Sequence, residues 1–405
     1  MHAALLVSVC LLAAAEVAGP DLAGRVLSQD GEPLAGATVF IYTARPKFGT
    51  SVYCPSCYAD CVKQSKTDDA GNFRIESLDP ELLFRVLMVA EGCRPKLTDH
   101  LDPAEAPLEI VMEPLPVAPA GQQLRGRVLD PDGKPIVGAI VEPFGIQTAE
   151  RRWWGAMPGV DPVSVTNLAG QFLITTGQPA EGLDVKVAAR GHAKQKFVLL
   201  PLGEPHDLTL ASGVTVRGRL LRDGRPASGL TVGLVQTDRG AESFVGHELI
   251  GTDANGSFEF QNVAAGQTYF IYTNMEGPAD LGALPIQRIE VGQDGSVTNL
   301  GTLPLGPSYR LAGRVLLTDG RDVPEGTRLM LNREDAWDSQ TAILRPDGSF
   351  EFRGVPEEGL SLICSIGGYK LATARNRFQE LDPRSVGIYV DEDRDGLELH
   401  YEPEK

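Results

Sequence analysis

One pattern recurs four times along this chain and limits its fold more than any other feature. The run G-R-[VL]-L stands at Gly24-Arg25-Val26-Leu27, Gly126-Arg127-Val128-Leu129, Gly218-Arg219-Leu220-Leu221 and Gly313-Arg314-Val315-Leu316, at intervals of 102, 92 and 95 residues. A second landmark, G-x-F, follows it by 47, 44, 38 and 35 residues, at Gly71, Gly170, Gly256 and Gly348. A repeat of this length is one structural unit strung in tandem.

The units read as β-structure. Asp30-Gly31, Asp132-Gly133 and Asp223-Gly224 follow the first landmark and supply the positive φ of tight turns. The fourth copy is looser, with Asp319-Gly320 four residues before Pro324. Leu183-Asp184-Val185-Lys186-Val187 alternates apolar and polar residues, as does Leu360-Ser361-Leu362 leading to Cys364 and Ile366. That period is the half-buried antiparallel pattern, and no helical periodicity of useful length competes with it. Pro and Gly cluster at Pro114–Gly121 and Gly301–Pro307, and Ala211-Ser212-Gly213 marks a third break. The expected organisation is all-β: four tandem small antiparallel β-sandwiches at 21–114, 123–212, 213–306 and 307–405, with a linker at 115–122.

The run GRVLSQDGEPLAGATVFIY, followed by TDDAGNFRIESLDPELLFRVLMVAEG, resembles the carboxypeptidase regulatory-like domain. The resemblance implies a transthyretin-like, Greek-key type sandwich, also likened to starch-binding and collagen-adhesin B-type modules. It covers nearly all of the first copy and the third around Thr252–Phe258; the second and fourth are degenerate. In that family the module usually accompanies a catalytic or transport domain, and here four copies fill the chain.

The formal net charge of -17 repels phosphate backbones, and no basic run offsets it, so no nucleic-acid partner is expected. Ala3–Ala15 is an uncharged run of signal-peptide length, and Ala13-Ala14-Ala15 offers a cleavage site before Glu16. A signal peptide at 1–15 implies a chain exported to the periplasm, the cell surface or the medium. No later apolar run is long enough to span a membrane.

No enzyme motif is present. The six histidines, His2, His100, His192, His206, His247 and His400, form neither H-E-x-x-H nor H-x-x-E. G-x-S-x-G and the phosphate-binding loop are also missing, so no catalytic residue and no cofactor is expected.

Variation between the copies therefore carries the functional reading. The extra length of the earlier copies falls between the second strand and G-x-F, and loops over a rigid sandwich commonly hold function. These crossover segments contain Tyr53 and Tyr58 in the first copy, Trp153 and Trp154 in the second, Phe244 and His247 in the third, and Trp337 in the fourth. Such aromatics either anchor a partner or sugar, or pack on the core and between copies. The expected function is a non-catalytic interaction and spacer protein with a protein or glycan partner. The alternatives are a carbohydrate-binding module and an accessory subunit of a separately encoded hydrolase.

Cys54, Cys57, Cys61 and Cys93 all lie in the first copy. In an exported domain they favour two disulfides, while C-x2-C-x3-C with Cys93 leaves a zinc site open and a redox role less so. Cys364 shares strand parity with Leu362 and reads as a buried small residue. Asp391, Asp393 and Asp395, with Gly396 and Glu402, satisfy a calcium-loop pattern. The strand-like residues around them allow at most weak calcium at the three-Asp turn. Leu397–Pro403 parallels Leu108–Pro114, the closing strand of the first copy. Asn255-Gly256-Ser257 is a formal glycosylation sequon and most simply a turn.

Overall fold

The computed structural model describes residues 19–47, 58–105, 107–115 and 117–404. Residues 1–15, where a signal peptide is expected, and Tyr53, Cys54 and Cys57 lie outside the described residues. The fold is all-β, a tandem series of small β-sandwiches, and among the described residues the only helical pieces are three short 3-10 turns. No helix is long and apolar enough to cross a membrane.

The two landmarks are cross-strand partners. In each sandwich the strand that carries G-R-[VL]-L (Leu22–Ser28, Gln123–Leu129, Val214–Arg222, Ser308–Leu317) lies antiparallel to the G-x-F strand (Asn72–Ile75, Gln171–Thr175, Ser257–Val263, Ser349–Pro356). The register sets Gly24 opposite Phe73, Gly126 opposite Phe172, Gly218 opposite Phe258 and Gly313 opposite Phe350. A Cβ on Gly24 would stand 2.4 Å from the Leu108 carbonyl oxygen and 2.8 Å from the Phe73 ring, and one on Gly218 would stand 2.6 Å from the Phe258 ring. The glycine recurs because the phenylalanine and a third strand occupy the space of its side chain.

That third strand corrects the purely antiparallel expectation. Leu108–Met112, Pro205–Thr209, Val297–Pro304 and Arg394–Pro403 each pair parallel with the first strand of their sandwich. They reach the small sheet by crossing over from the large one, and a crossover is the connection a parallel pair requires.

A buried threonine closes the unit in three copies. Thr67, Thr166 and Thr252 each accept a backbone N–H, from Ala37, Ala139 and Leu230, and donate to the carbonyls of Leu34, Ile136 and Ala227. The next residue, Asp68, Asn167 or Asp253, caps two backbone N–H groups of the turn before G-x-F. Arg25 and Arg219 of the first landmark donate to the carbonyls of Ala70 and Asn255 in the same turns. Leu344 and Arg345 occupy the Thr and Asx places of the fourth sandwich, which lacks this latch.

The chain forms two compact units, Met1–Leu115 and Pro116–Lys405. The first holds one sandwich. Its large sheet runs Gln64–Lys66, Thr38–Pro46, Leu82–Val89, Lys96–Leu97, over a core that includes Val26, Ile41, Phe84 and Met88. The second holds three, with separate cores around Leu124, Val141 and Val185, around Val216, Leu234 and Ile271, and around Leu331, Leu362 and Leu399. Each such side chain contributes about 1.5–3 kcal/mol by leaving water. Cys364 is buried beside Leu362, and burial pushes its thiol up to about 12.

Candidate functional site: the crossover segments

Arg152–Trp154 forms an edge strand on Ile140–Gln147, with Trp153 opposite Ile146 and Trp154 opposite Gly145. Alternation sends the two indoles to opposite faces. Trp153 is half-buried against the core of the second sandwich, and its Nε1 donates to the Ala156 carbonyl at 3.2 Å. The Arg151 guanidinium lies 4.6 Å from its ring centroid. Trp154 lies over Gly145, where a Cβ would stand 2.7 Å from its Cδ1, and 45% of the residue stays exposed.

Asp184 organises this face. It is buried, and it accepts from Trp154 Nε1 at 3.1 Å, from Arg152 Nη2 at 2.9 and 3.0 Å, and from the Leu199 N–H at 2.7 Å. Those bonds meet the demand of a buried carboxylate. The last of them reaches Leu199, at a φ of 53°, beside a bulge in the pairing of strands Gly182–Ala188 and Gln195–Pro201. Bonds to Asp184 and Glu242 raise the Arg152 pKa further, against the opposing effect of its burial.

The crossover segment of the third sandwich then meets the second. Glu242 pairs with Arg152 Nη1 at 2.5 Å, and Lys196 Nζ donates to the Ala241 carbonyl at 2.7 Å. Lys194 and Glu248 stand 3.9 Å apart across the same joint.

The fourth sandwich docks on the third in the same manner. Ala336 is fully buried against Val235 and Tyr272. The ring of Trp337, at a φ of 55°, stacks on Phe244 with centroids 4.8 Å apart and on His247 at 6.1 Å. Arg239 lies 4.8 Å from the Trp337 centroid and 5.1 Å from that of Phe244, and donates to the Asp335 carbonyl at 2.8 Å. Trp337 keeps 52% of its surface exposed.

Beneath this stack lies a buried ion network. Arg333 binds Glu358 at 2.5 and 3.1 Å, Asp338 at 3.1 Å and the Thr273 carbonyl of the third sandwich at 2.8 Å. Asp338 accepts in turn from Asn274 at 2.9 Å and from the Met275 N–H at 3.0 Å, and Glu358 accepts from the Ile286 N–H at 2.9 Å. Burial pushes the Asp338 carboxyl above its ordinary range, and Arg333 opposes that rise.

The structure thus brings Trp337 together with Phe244 and His247 and leaves Trp153 and Trp154 at a different joint. Asp184 and the Arg333 network were missed in the sequence. Arg333 carried a signal: it shares strand parity with the buried Leu329 and Leu331. Asp184 carried none, because alternation puts it on an outer face, where Trp154, Arg152 and Leu199 gather round it.

In the first sandwich, Tyr58 and Cys61 pack on the core, and so does Cys93. Burial pushes the Cys61 thiol up to about 11 and raises that of Cys93 as well.

The acidic turn of the fourth sandwich spends its carboxylates on arginines. Asp391 pairs with Arg394 at 2.9 Å, Asp395 pairs with the Arg310 guanidinium, and Asp393 accepts the Arg310 N–H. Among the described residues no group of three or more His, Cys, Asp or Glu is gathered to hold a metal ion. Arg394–Pro403 is one extended strand, which carries Glu402 away from Asp391.

No protein-family model and no curated protein matches the chain. Solved structures with similar local architecture include the Bacillus anthracis TIE protein, at 11% identity over 95% of this chain and 73% of that one, with a TM-score of 0.20. A streptococcal ancillary pilin matches at 10% identity over 70% of this chain and 99% of its own, with a TM-score of 0.23. The major pilin subunit BcpA of Bacillus cereus matches at 11% identity over 70% and 98%, with a TM-score of 0.20.

Proposed function

We propose that this chain is a non-catalytic, exported spacer and interaction protein, built from repeats that resemble carboxypeptidase regulatory-like domains. One observation carries the spacer half: the crossover segments of the third and fourth sandwiches are used as joints. Each lies on the sandwich before it, through Glu242 and Ala241 in one case and Ala336 and Trp337 in the other. A string of sandwiches welded in this way transmits length and direction, which a flexible linker does not.

Calorimetry of the full chain tests it. The third and fourth sandwiches share the Arg333 network, so they should unfold in one transition, and Arg333→Leu should split that transition into two. Independent melting in the unsubstituted chain would sink the spacer reading.

Trp154 carries the interaction half. It is half-exposed, fixed from below by Gly145 and from the side by Asp184, and therefore preorganised. A glycan array and a co-purification screen separate a sugar ligand, a protein partner and a hydrolase. Trp154→Ala should abolish retention of the true ligand, while the loss of one donor to the buried Asp184 lowers the melting temperature only modestly because Arg152 and the Leu199 N–H still bind that carboxylate. The disulfide reading of Cys54, Cys57, Cys61 and Cys93 belongs to the same proposal and fits an oxidising compartment.

A further inference from the structure

His247 is the residue at which three consecutive sandwiches meet. It opens the edge strand His247–Gly251 of the third sandwich and is 8% exposed. Its ring stacks on Trp337 of the fourth, with an interplanar angle of 18°. On its other side it lines a small cavity with Lys194 of the second sandwich and with Glu248 and Tyr269 of its own.

The charges around this imidazole are uneven. Arg239 comes from the segment before its strand and Lys194 from the second sandwich, and both disfavour a proton on the ring. Glu248, its neighbour along the strand, is paired with Lys194 at 3.9 Å. Tyr269 contributes a phenol held protonated by burial. Glu334 and Asp335 of the fourth sandwich lie on the side of Arg239 and are exposed. Among the described residues no carboxylate is in an ion pair with His247.

We propose that His247 is an acid-sensitive latch, which holds the second, third and fourth sandwiches in line at neutral pH and releases them on protonation. The inference rests on the spacer reading above. A proton on this buried ring adds a third cation near Arg239 and Lys194. The stack on Trp337 returns part of that cost as a cation–π contact, but its face is already shared with Arg239. Burial first, then Arg239 and Lys194, hold the ring below its ordinary value of 6.5. A histidine with a lowered value in the fold binds more protons when the joint is open. Its contribution is therefore complete above pH 6.5 and is lost as the pH falls from there through the lower folded value.

The experiment uses the full chain, labelled at the exposed turn positions Ala169 and Pro346 of the second and fourth sandwiches, with the distance between labels followed from pH 7.5 to 5. The expected result is one narrow distance at pH 7.5 that broadens at least twofold by pH 5, and that stays narrow in His247→Phe. His247→Gln serves as a second variant if the phenylalanine disturbs the stack. A distance that stays narrow to pH 5 in the unsubstituted chain overturns the latch and leaves the spacer standing. Equal broadening in both variants assigns the response to carboxylates and also overturns the latch. A distance already broad at pH 7.5 sinks the spacer reading, and the latch with it.

Discussion

At the scale of the residue, the chain depends on a few side chains for which a substitute has no room or no partner. Gly126 is one. A Cβ there would stand 1.9 Å from the His206 carbonyl oxygen, so alanine has to push two paired strands apart. Gly126→Ala should cost the second sandwich about 1–3 kcal/mol, the usual range for overpacking, read as a lower denaturation midpoint. Arg333 is another. It is fully buried, and its charge is balanced by Asp338 and Glu358. Asp338→Ala removes one of those anions and two backbone and side-chain caps, and should cost about 3–5 kcal/mol. Ser361→Ala, on the outer face of the same sheet, should stay within about 0.5 kcal/mol. If both substitutions cost the same, the buried network is not what holds that joint.

At the scale of the element, the sequence was legible wherever local chemistry and global position agreed. Asp-Gly turns, period-two strands and the Gly and Phe landmarks all predicted β-sandwiches, and the register explains why those landmarks recur. The parallel closing strands were not legible, because Leu108-Glu109-Ile110-Val111 reads the same in either direction. Neither were the joints. Trp337 looks like a free loop aromatic until Phe244 arrives from 93 positions earlier in the chain. The threonine latch is written as a repeated T-[DN]-x-x-G-x-F, but a threonine just past a strand end carries no local sign that its hydroxyl is buried and doubly bonded. Its worth is measurable. Thr252→Val keeps the shape but leaves the Leu230 N–H and the Ala227 carbonyl unpaired in the interior. The expected loss is about 1–3 kcal/mol in the third sandwich. The fourth sandwich has Leu344 at this place, so Leu344→Thr should restore no stability there, since its neighbouring Arg345 cannot cap the turn.

At the scale of the whole molecule, the two joints of the second compact unit differ in kind. The joint between the second and third sandwiches rests on Arg152 with Glu242, a pair whose side chains are 18% and 50% exposed, and on Lys194 with Glu248, which are 46% and 40% exposed. The joint between the third and fourth rests on Arg333 and Asp338 of the fourth, which are 0% and 1% exposed and bond the Thr273 carbonyl and the Met275 N–H of the third. Salt screens the first kind and hardly reaches the second, because the screening length falls to about 3 Å at 1 M. Labels at Ala169 and Ala254 report the first joint, and labels at Ala254 and Pro346 the second. Raising salt from 0.1 to 1 M should broaden the first distance and leave the second unchanged. The chain would then be a stiff distal pair on a salt-sensitive hinge, so that ionic strength acts on one joint and acid, through His247, on both. An equal response of the two joints to salt would mean that the exposure of the ion pairs does not decide which joint yields, and the division into a stiff pair and a hinge would fall.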